Sequence, residues 1–440
     1  MSSLPAPSGR AALPQSVTHF GLNLIALVTV VATFVFLRKH DLGVQDNSLA
    51  LCVAVGVPII LIDLFILKVY RRASTGLDWN RKFEFDLGRI ATKYVGLGFT
   101  VGLIALAYWV FPEYHGSFYD PLYSLLQRFW IPLVVTAVFY IALVDGQLTK
   151  PHDAYWQLGR FVFGRWRDAR KGDVANHFRG WLVKAYFLPL MLVWMTNDVR
   201  QLIHFDLSNA TWSNLRLYDF IYSFLFLLDL LFSTVGYVMS LRAIDTHIRT
   251  AEPTMYGWVV ALFCYQPFYS LMERQYVHYG DNGFGGWLAA YPTIRSLWTA
   301  VILALVAIYM LGTVTFGIRF SNLTHRGILT NGPYRFTKHP AYISKNLSWW
   351  LVSVPFLVPR GQDWTESLRS CFALGCVNMI YFLRARTEEA HLSRDPVYVE
   401  YALWMNEHGL LSFLGRWFPI LRYKAPAGSP LAERPAAAHS

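Results

Sequence analysis

Residues 297–317 read LWTAVILALVAIYMLGTVTFG, 21 residues without a charge, and residues 319–346 just beyond them read RFSNLTHRGILTNGPYRFTKHPAYISKN, dense in Arg, Lys and His. At about 1.5 Å of rise per residue, the first run crosses a hydrocarbon core of about 30 Å as a helix. Its apolarity is unbroken rather than alternating, which argues against a transmembrane β-barrel. Nine further apolar runs lie at 20–37, 49–67, 94–111, 129–144, 182–195, 220–239, 256–268, 347–358 and 367–383. Those at 182–195, 256–268 and 347–358 are short and contain Pro189, Pro267 and Pro355, so kinks or re-entrant pieces are expected there. The fold class expected is all-α: a polytopic transmembrane helical bundle of about ten spans. Composition agrees, with 54% hydrophobic and 15% charged residues against about 25% charged in a soluble domain.

A net charge of +11 would suggest nucleic acid in a soluble chain. Here Lys and Arg sit in the loops between runs, where they set topology. With the N-terminus in the cytoplasm, about 30 of the 39 Lys and Arg fall on that side. Both termini and the loop 319–346 are therefore expected to be cytoplasmic, and no nucleic-acid partner is expected. The loop 151–184 interleaves Arg and Lys with Trp156, Phe161, Phe163, Trp166 and Trp181. It reads either as a helix lying in the headgroup layer or as a plain topological anchor. Residues 1–19 and 425–440, rich in Ser, Pro and Ala, read as disordered tails.

Several chemistries are disfavoured. Cys52, Cys264, Cys371 and Cys376 all lie in apolar runs without a CxxC pair, so neither a disulfide framework nor a zinc site is implied. No two of the 13 histidines are three or four residues apart, which speaks against a His-rich metal centre, and no metal is expected. Phosphate-binding and dinucleotide-binding glycine loops and the GxSxG elbow are missing. Asp63 and Asp229 lie inside spans. Each is a functional candidate by position, but with no second acid or Arg nearby in sequence the favoured reading is a structural hydrogen bond to a neighbouring helix.

The chemistry-bearing residues are at the cytoplasmic ends of the last spans. Gly332 and Pro333 mark a turn, followed by Tyr334, then Lys338, His339, Pro340 and Tyr342. Pro340 disfavours helix at His339 and suits the first turn of a helix behind it, whose backbone N–H groups favour an anion. After the last span come Arg384, Arg386, Glu388, Glu389 and His391, then Tyr398 and Tyr401. If the helix continues, Arg384 and Glu388 share one face at i, i+4.

The pattern GPYR-x-x-(R/K)HP-x-Y, then about 45 residues holding a helical hairpin, then R-x-x-x-EE-x-x-L and Y-x-x-Y, resembles the isoprenylcysteine carboxyl methyltransferase family, grouped with membrane phospholipid N-methyltransferases. Residues 321–325 and 327–329 resemble that family's lead-in, and the likeness covers about residues 316–401. It implies an integral membrane enzyme that uses S-adenosylmethionine at the cytoplasmic face. Leu329, Gly332, Tyr334, His339, Pro340 and Tyr342 would line the cofactor pocket, with Glu388 binding the cofactor and Glu389 supporting it. Arg384 would be the catalytic and substrate-facing residue, and Tyr398 and Tyr401 would close the substrate end. The domain division that follows is a transmembrane region of unassigned role at 20–290 and a methyltransferase-like region at 291–424. Three positions depart from the family pattern. Lys338 stands where Arg is commoner, Ser344 stands where Gly is usual, and 394–397 replaces a longer Gly-containing turn.

The implied acceptor is amphipathic and lipid-like or prenylated, with its tail in the bilayer. A carboxylate acceptor needs no general base, and Arg384 would orient it through two parallel hydrogen bonds. A thiol or amine must lose a proton, for which His325, His391 or a tyrosine is the available base. The competing reading is an NADPH-dependent membrane sterol-type reductase. Span number and length favour that reading, and the Arg-x-x-x-Glu-Glu block favours the methyltransferase.

Overall fold

The computed structural model describes residues 12–165, 167, 170–270, 283–358 and 363–427. Its helices, in chain order, begin with α1 (Phe20–Leu37), α2 (Val44–Leu61, continued by a π turn Ile62–Ile66), α3 (Leu87–Val110), α4 (Asp120–Asp145) and α5 (Ala154–Val162). There follow α6 (Lys171–Ile203), α7 (Arg216–Val238), α8 (Met255–Leu262), α9 (Phe284–Trp287) and α10 (Pro292–Phe316). The C-terminal part adds α11 (Pro340–Ser353), α12 (Trp364–Leu392), α13 (Pro396–His408) and α14 (Ser412–Trp417). The named strands among the described residues are β1 (Thr250–Ala251) and β2 (Thr324–His325), an antiparallel pair with Thr250 opposite His325.

Among the described residues, six helical segments are long and apolar enough to cross a membrane: Phe20–Leu37, Val44–Ile66, Leu87–Val110, Ser117–Asp145, Arg216–Val238 and Pro292–Arg319. The protein is an all-helical membrane protein, but four of the ten expected runs differ from a simple apolar span. The run 182–195 is the middle of the 33-residue α6, whose ends are polar. The run 256–268 yields only the eight-residue α8. The run 347–358 stops at Ser353, because Val354 takes a left-handed φ of 41° ahead of Pro355, which cannot continue the helix. The run 367–383 lies within the continuous 29-residue α12; Arg369, Ser370 and Asn378 break its apolarity, and the helix continues well past the run's end.

One apolar core joins both halves of the chain. Phe34 of α1, Leu51 of α2, Phe187 of α6, Leu227 and Phe232 of α7 and Val314 of α10 are all buried in it. By contrast only 6% of the apolar window of Ser117–Asp145 is buried, and Phe139 and Trp130 point outward. Such a face is stable against lipid tails, where exposed apolar area costs nothing. In α3 and α5 the backbones touch. A Cβ on Gly159 would fall 1.9 Å from Thr92 O, and one on Gly96 2.1 Å from Tyr155 O, so only glycine permits this crossing. The basic, aromatic loop is thereby anchored on α3, leaving Phe161 and Phe163 exposed; Trp166 lies outside the described residues.

The two intramembrane aspartates have partners far away in sequence. Asp63 pairs with Arg319 at 3.0 Å, and Arg319 also donates to the carbonyls of Ile244 and Asp245. Asp229 accepts from Tyr309 at 2.6 Å and Thr313 at 2.5 Å. Both thus tie helices together, and α7 is bound to α10 through Asp229. Part of the stretch read as an N-terminal tail is docked rather than free. Val17 N donates to Ile328 O, Thr330 Oγ1 donates to Pro14 O, and Thr18 Oγ1 donates to Thr315 O. Residues 1–11 and 428–440, the remainder of the expected tails apart from 425–427, lie outside the described residues.

Candidate active site

Three local devices shape the stretch 319–346. The β1–β2 pair fastens it to the segment before α8. Arg326 Nη1 donates to Gly236 O and Met239 O, satisfying free carbonyls at the C-terminus of α7, where a cation is also favoured by the helix dipole. Gly332 then turns with φ +54°, and a Cβ there would meet Thr315 Oγ1 at 2.7 Å and the Phe20 ring at 2.9 Å. The turn can therefore lie flat against α1 and α10 only with glycine. As the sequence indicates, α11 starts at Pro340 with His339 as its N-cap.

Helix α12 runs unbroken through Arg384 and Glu388, which puts both on one face. Tyr342 donates to Glu388 Oε2 at 2.7 Å, and the His339 and Tyr342 rings stack with centroids 5.4 Å apart and planes 4° from parallel. One residue on, Glu389 takes Lys338 Nζ at 2.5 Å, Arg386 Nη1 at 2.9 Å and His339 Nε2 at 3.3 Å. Burial alone would raise the Glu389 carboxyl. The hydrogen bond from His339 and the charges of His339 and Lys338 outweigh it and hold the group at about 2. Tyr401 donates to Tyr334 O at 2.6 Å, closing α13 over the same loop. Two sequence blocks some 50 residues apart thus face each other across one cavity. It holds about 1450 Å³ of non-atom space, counting the solvent at its mouth.

Residues 293–394 match the isoprenylcysteine carboxyl methyltransferase (ICMT) family. No curated protein and no solved structure matches the chain. The ICMT segment runs from the start of α10 to just past the end of α12 and so contains both blocks. The protein is a membrane protein with a methyltransferase-family segment in its C-terminal part.

Of the residues singled out from sequence, Leu329, Tyr334, His339, Tyr342, Arg384, Glu388, Tyr398 and Tyr401 line the cavity. Gly332, Pro340 and Glu389 do not line it: Gly332 is a packing turn, Pro340 starts α11, and Glu389 is a buried anchor behind the wall. Tyr398 and Tyr401 fall beyond the ICMT segment and are buried rather than belted at an interface. The Tyr398 hydroxyl, buried in the cavity wall, has no hydrogen-bond partner among the described residues.

Arg384 is also buried, at 7% exposure. Its guanidinium lies over the rings of Tyr342 (5.1 Å), Tyr265 (5.4 Å) and Tyr381 (6.0 Å), and Nη2 donates to Asn322 Oδ1 at 2.7 Å. No carboxylate forms an ion pair with it among the described residues. Of the two histidines considered as bases, His391 lines the cavity and bonds Thr250 Oγ1 at 2.9 Å, whereas His325 is outside it and paired with Asp395 at 3.2 Å. Burial, together with His325 and Arg394, pushes His391 down to about 4, so it is neutral at physiological pH. Sequence reasoning missed Tyr265, Asn322 and Tyr309. Tyr265 precedes the ICMT segment and carries no motif, and all three reach the cavity only through tertiary packing.

Proposed function

We propose that the protein is an S-adenosylmethionine-dependent methyltransferase whose cytoplasmic-side cavity methylates a lipid-like or prenylated acceptor held partly in the bilayer. The observation that carries this reading is the junction of the two ICMT-type blocks, Tyr342 with Glu388 and Lys338–His339 with Glu389, on a single cavity. The residues fit the cofactor's chemistry. Glu388 and the stacked faces of His339 and Tyr342 suit a cation, and the Tyr398 hydroxyl is a buried donor without a described partner. When bound, S-adenosylmethionine supplies an activated methyl group, leaving orientation and exclusion of water to the protein.

In this reading Leu329, Gly332, Tyr334 and Pro340 shape the cofactor side directly or from behind. Glu389 holds Lys338 and His339 in place, and Tyr398 and Tyr401 close the opposite end. Arg384, with Asn322 occupying one of its five N–H donors, orients a carboxylate with the rest. A thiol substrate would have to enter as its thiolate, because His391, held at about 4, is too weak a base to take the proton. Region 291–424 is the catalytic part. Region 20–290 contributes Glu252 and Tyr265 to the wall and the anchors Asp63 and Asp229 to the frame.

Titration of the purified protein with S-adenosylmethionine and with NADPH tests the reading. S-adenosylmethionine is expected to bind, and His339→Ala and Glu388→Ala each to weaken it at least about tenfold, near 1.4 kcal/mol. Binding of NADPH alone would install the reductase instead. The account also places ten membrane passages in the chain, with α6, α8, α11 and α12 contributing the four that are not simple apolar spans, and both termini in the cytoplasm. Reporter fusions at Ala425 and Gly283 should then report opposite sides, and a shared side would overturn that topology.

A further inference from the structure

Lys345 belongs to the stretch 319–346 but to none of the chemistry assigned so far. It lies one turn beyond Ala341 and Tyr342 on α11, and like them it lines the cavity. Its Nζ sits 5.0 Å from the ring centroid of Tyr309, 5.3 Å from Trp349 and 5.9 Å from Phe226. Aromatic faces attract a cation, but an ammonium has three N–H donors that want oxygen acceptors. Among the described residues Lys345 Nζ has neither a hydrogen bond nor an ion pair. Asp229 is close enough to act on it electrostatically but forms no ion pair with it, and its two oxygens accept the hydroxyls of Tyr309 and Thr313.

The cavity wall therefore holds three cations that form no ion pair with a carboxylate among the described residues: Arg326, taken up by the carbonyls of Gly236 and Met239, and the pair Arg384 and Lys345, which lie against aromatic rings. Such a pair is expensive in a helix bundle at membrane depth unless something neutralises it. Tyr342 connects them: Arg384 lies over its ring, and Lys345 follows it by three residues on the same helix face. A ligand reaching from one cation to the other would pass along the Tyr342 ring.

We propose that Lys345 is a second anion subsite, so that the acceptor is an amphipathic diacid whose one oxygen-anion group meets Arg384 and whose other meets Lys345. This rests on the reading of the cavity as the methyl-transfer site. It narrows the acceptor from lipid-like acids in general to those with two acidic groups near one end. It also gives the lysine a reason to stand in the wall of a largely aromatic chamber.

The test compares N-oleoylglycine, with one carboxylate, and N-oleoylglutamate, with two, binding to the full-length protein in detergent micelles. The wild-type protein is expected to bind the diacid at least tenfold tighter. Lys345→Met should reduce that preference to within twofold, Lys345→Arg should keep most of it, and both should leave S-adenosylmethionine affinity unchanged. Equal affinity for the two probes in the wild type, or a preference that survives Lys345→Met, overturns the subsite. If Lys345→Met does not fold, the wild-type ratio decides. Failure of the wild type to bind S-adenosylmethionine would strike the methyltransferase reading and leave the probe ratio to speak for Lys345 alone.

Discussion

Glu389→Ala is expected to cost about 3–5 kcal/mol of stability and to abolish measurable cofactor binding. The residue is 4% exposed, and its carboxylate is the shared partner of Lys338, His339 and Arg386, so it fastens the loop before α11 to α12. Removing it leaves Lys338, held against the Tyr423 ring, without its carboxylate. The double variant Lys338→Met with Glu389→Ala should therefore be more stable than Glu389→Ala alone, because the stranded cation is gone. The pH dependence follows from the direction of the shift. The folded-state value of about 2 lies below the ordinary 4.5, so the stabilisation is complete above about pH 4.5 and is lost as pH falls toward 2. Between pH 5 and 8 the difference between wild type and variant should be flat. Thermal unfolding in detergent with parallel cofactor titration measures all of this. An unfolding midpoint within a degree or two of wild type would show that Glu389 is a solvated face and not an anchor.

Arg384→Lys is expected to lower kcat/KM for a carboxylate acceptor by about 10²–10³-fold, equivalent to about 3–4 kcal/mol, while changing S-adenosylmethionine affinity less than threefold. The guanidinium is held by three tyrosine rings and Asn322, which fixes a planar fork in the wall of the cavity. An ammonium in its place keeps the charge but cannot make two parallel bonds to a carboxylate while still bonding Asn322. Asn322→Ala removes the hydrogen bond alone and should cost less, about tenfold, mostly in KM. Normal turnover of Arg384→Lys would remove Arg384 from the chemistry. A matching loss of cofactor affinity would move it to the cofactor side.

The class of fold was readable because apolar runs report membrane helices directly, and α1 begins and ends where its run does, at Phe20 and Leu37. The start of α11 was readable from Pro340, and the continuation of α12 through Glu388 was the condition that put Arg384 and Glu388 on one face. Other features leave no local trace. The pairing of Asp63 with Arg319 spans 256 positions and depends on how α2 meets the end of α10. Tyr265 and Asn322, 57 positions apart, meet in the cavity wall, where Asn322 Nδ2 donates to the Tyr265 hydroxyl, and nothing local in sequence announces that contact. The docking of residues 14–18 uses mainly backbone and hydroxyl groups, so a Ser- and Pro-rich composition read as a tail concealed it. The four runs that are not simple apolar spans resembled the other six in sequence for a similar reason. Apolar content marks what avoids water, but proline and left-handed residues such as Val354 decide where a helix stops.

The central claim is tested most directly by incubating the purified protein with S-adenosylmethionine tritiated on its methyl group and N-acetyl-S-farnesylcysteine, a prenylated carboxylate, and following label into base-labile methyl ester. The account predicts measurable incorporation by the wild type, slower than into an amphipathic diacid, and a loss of about 10²–10³-fold in Arg384→Lys. Folded wild-type protein that transfers no label to this or any other amphipathic acceptor, but oxidises NADPH in the presence of a sterol, would contradict it.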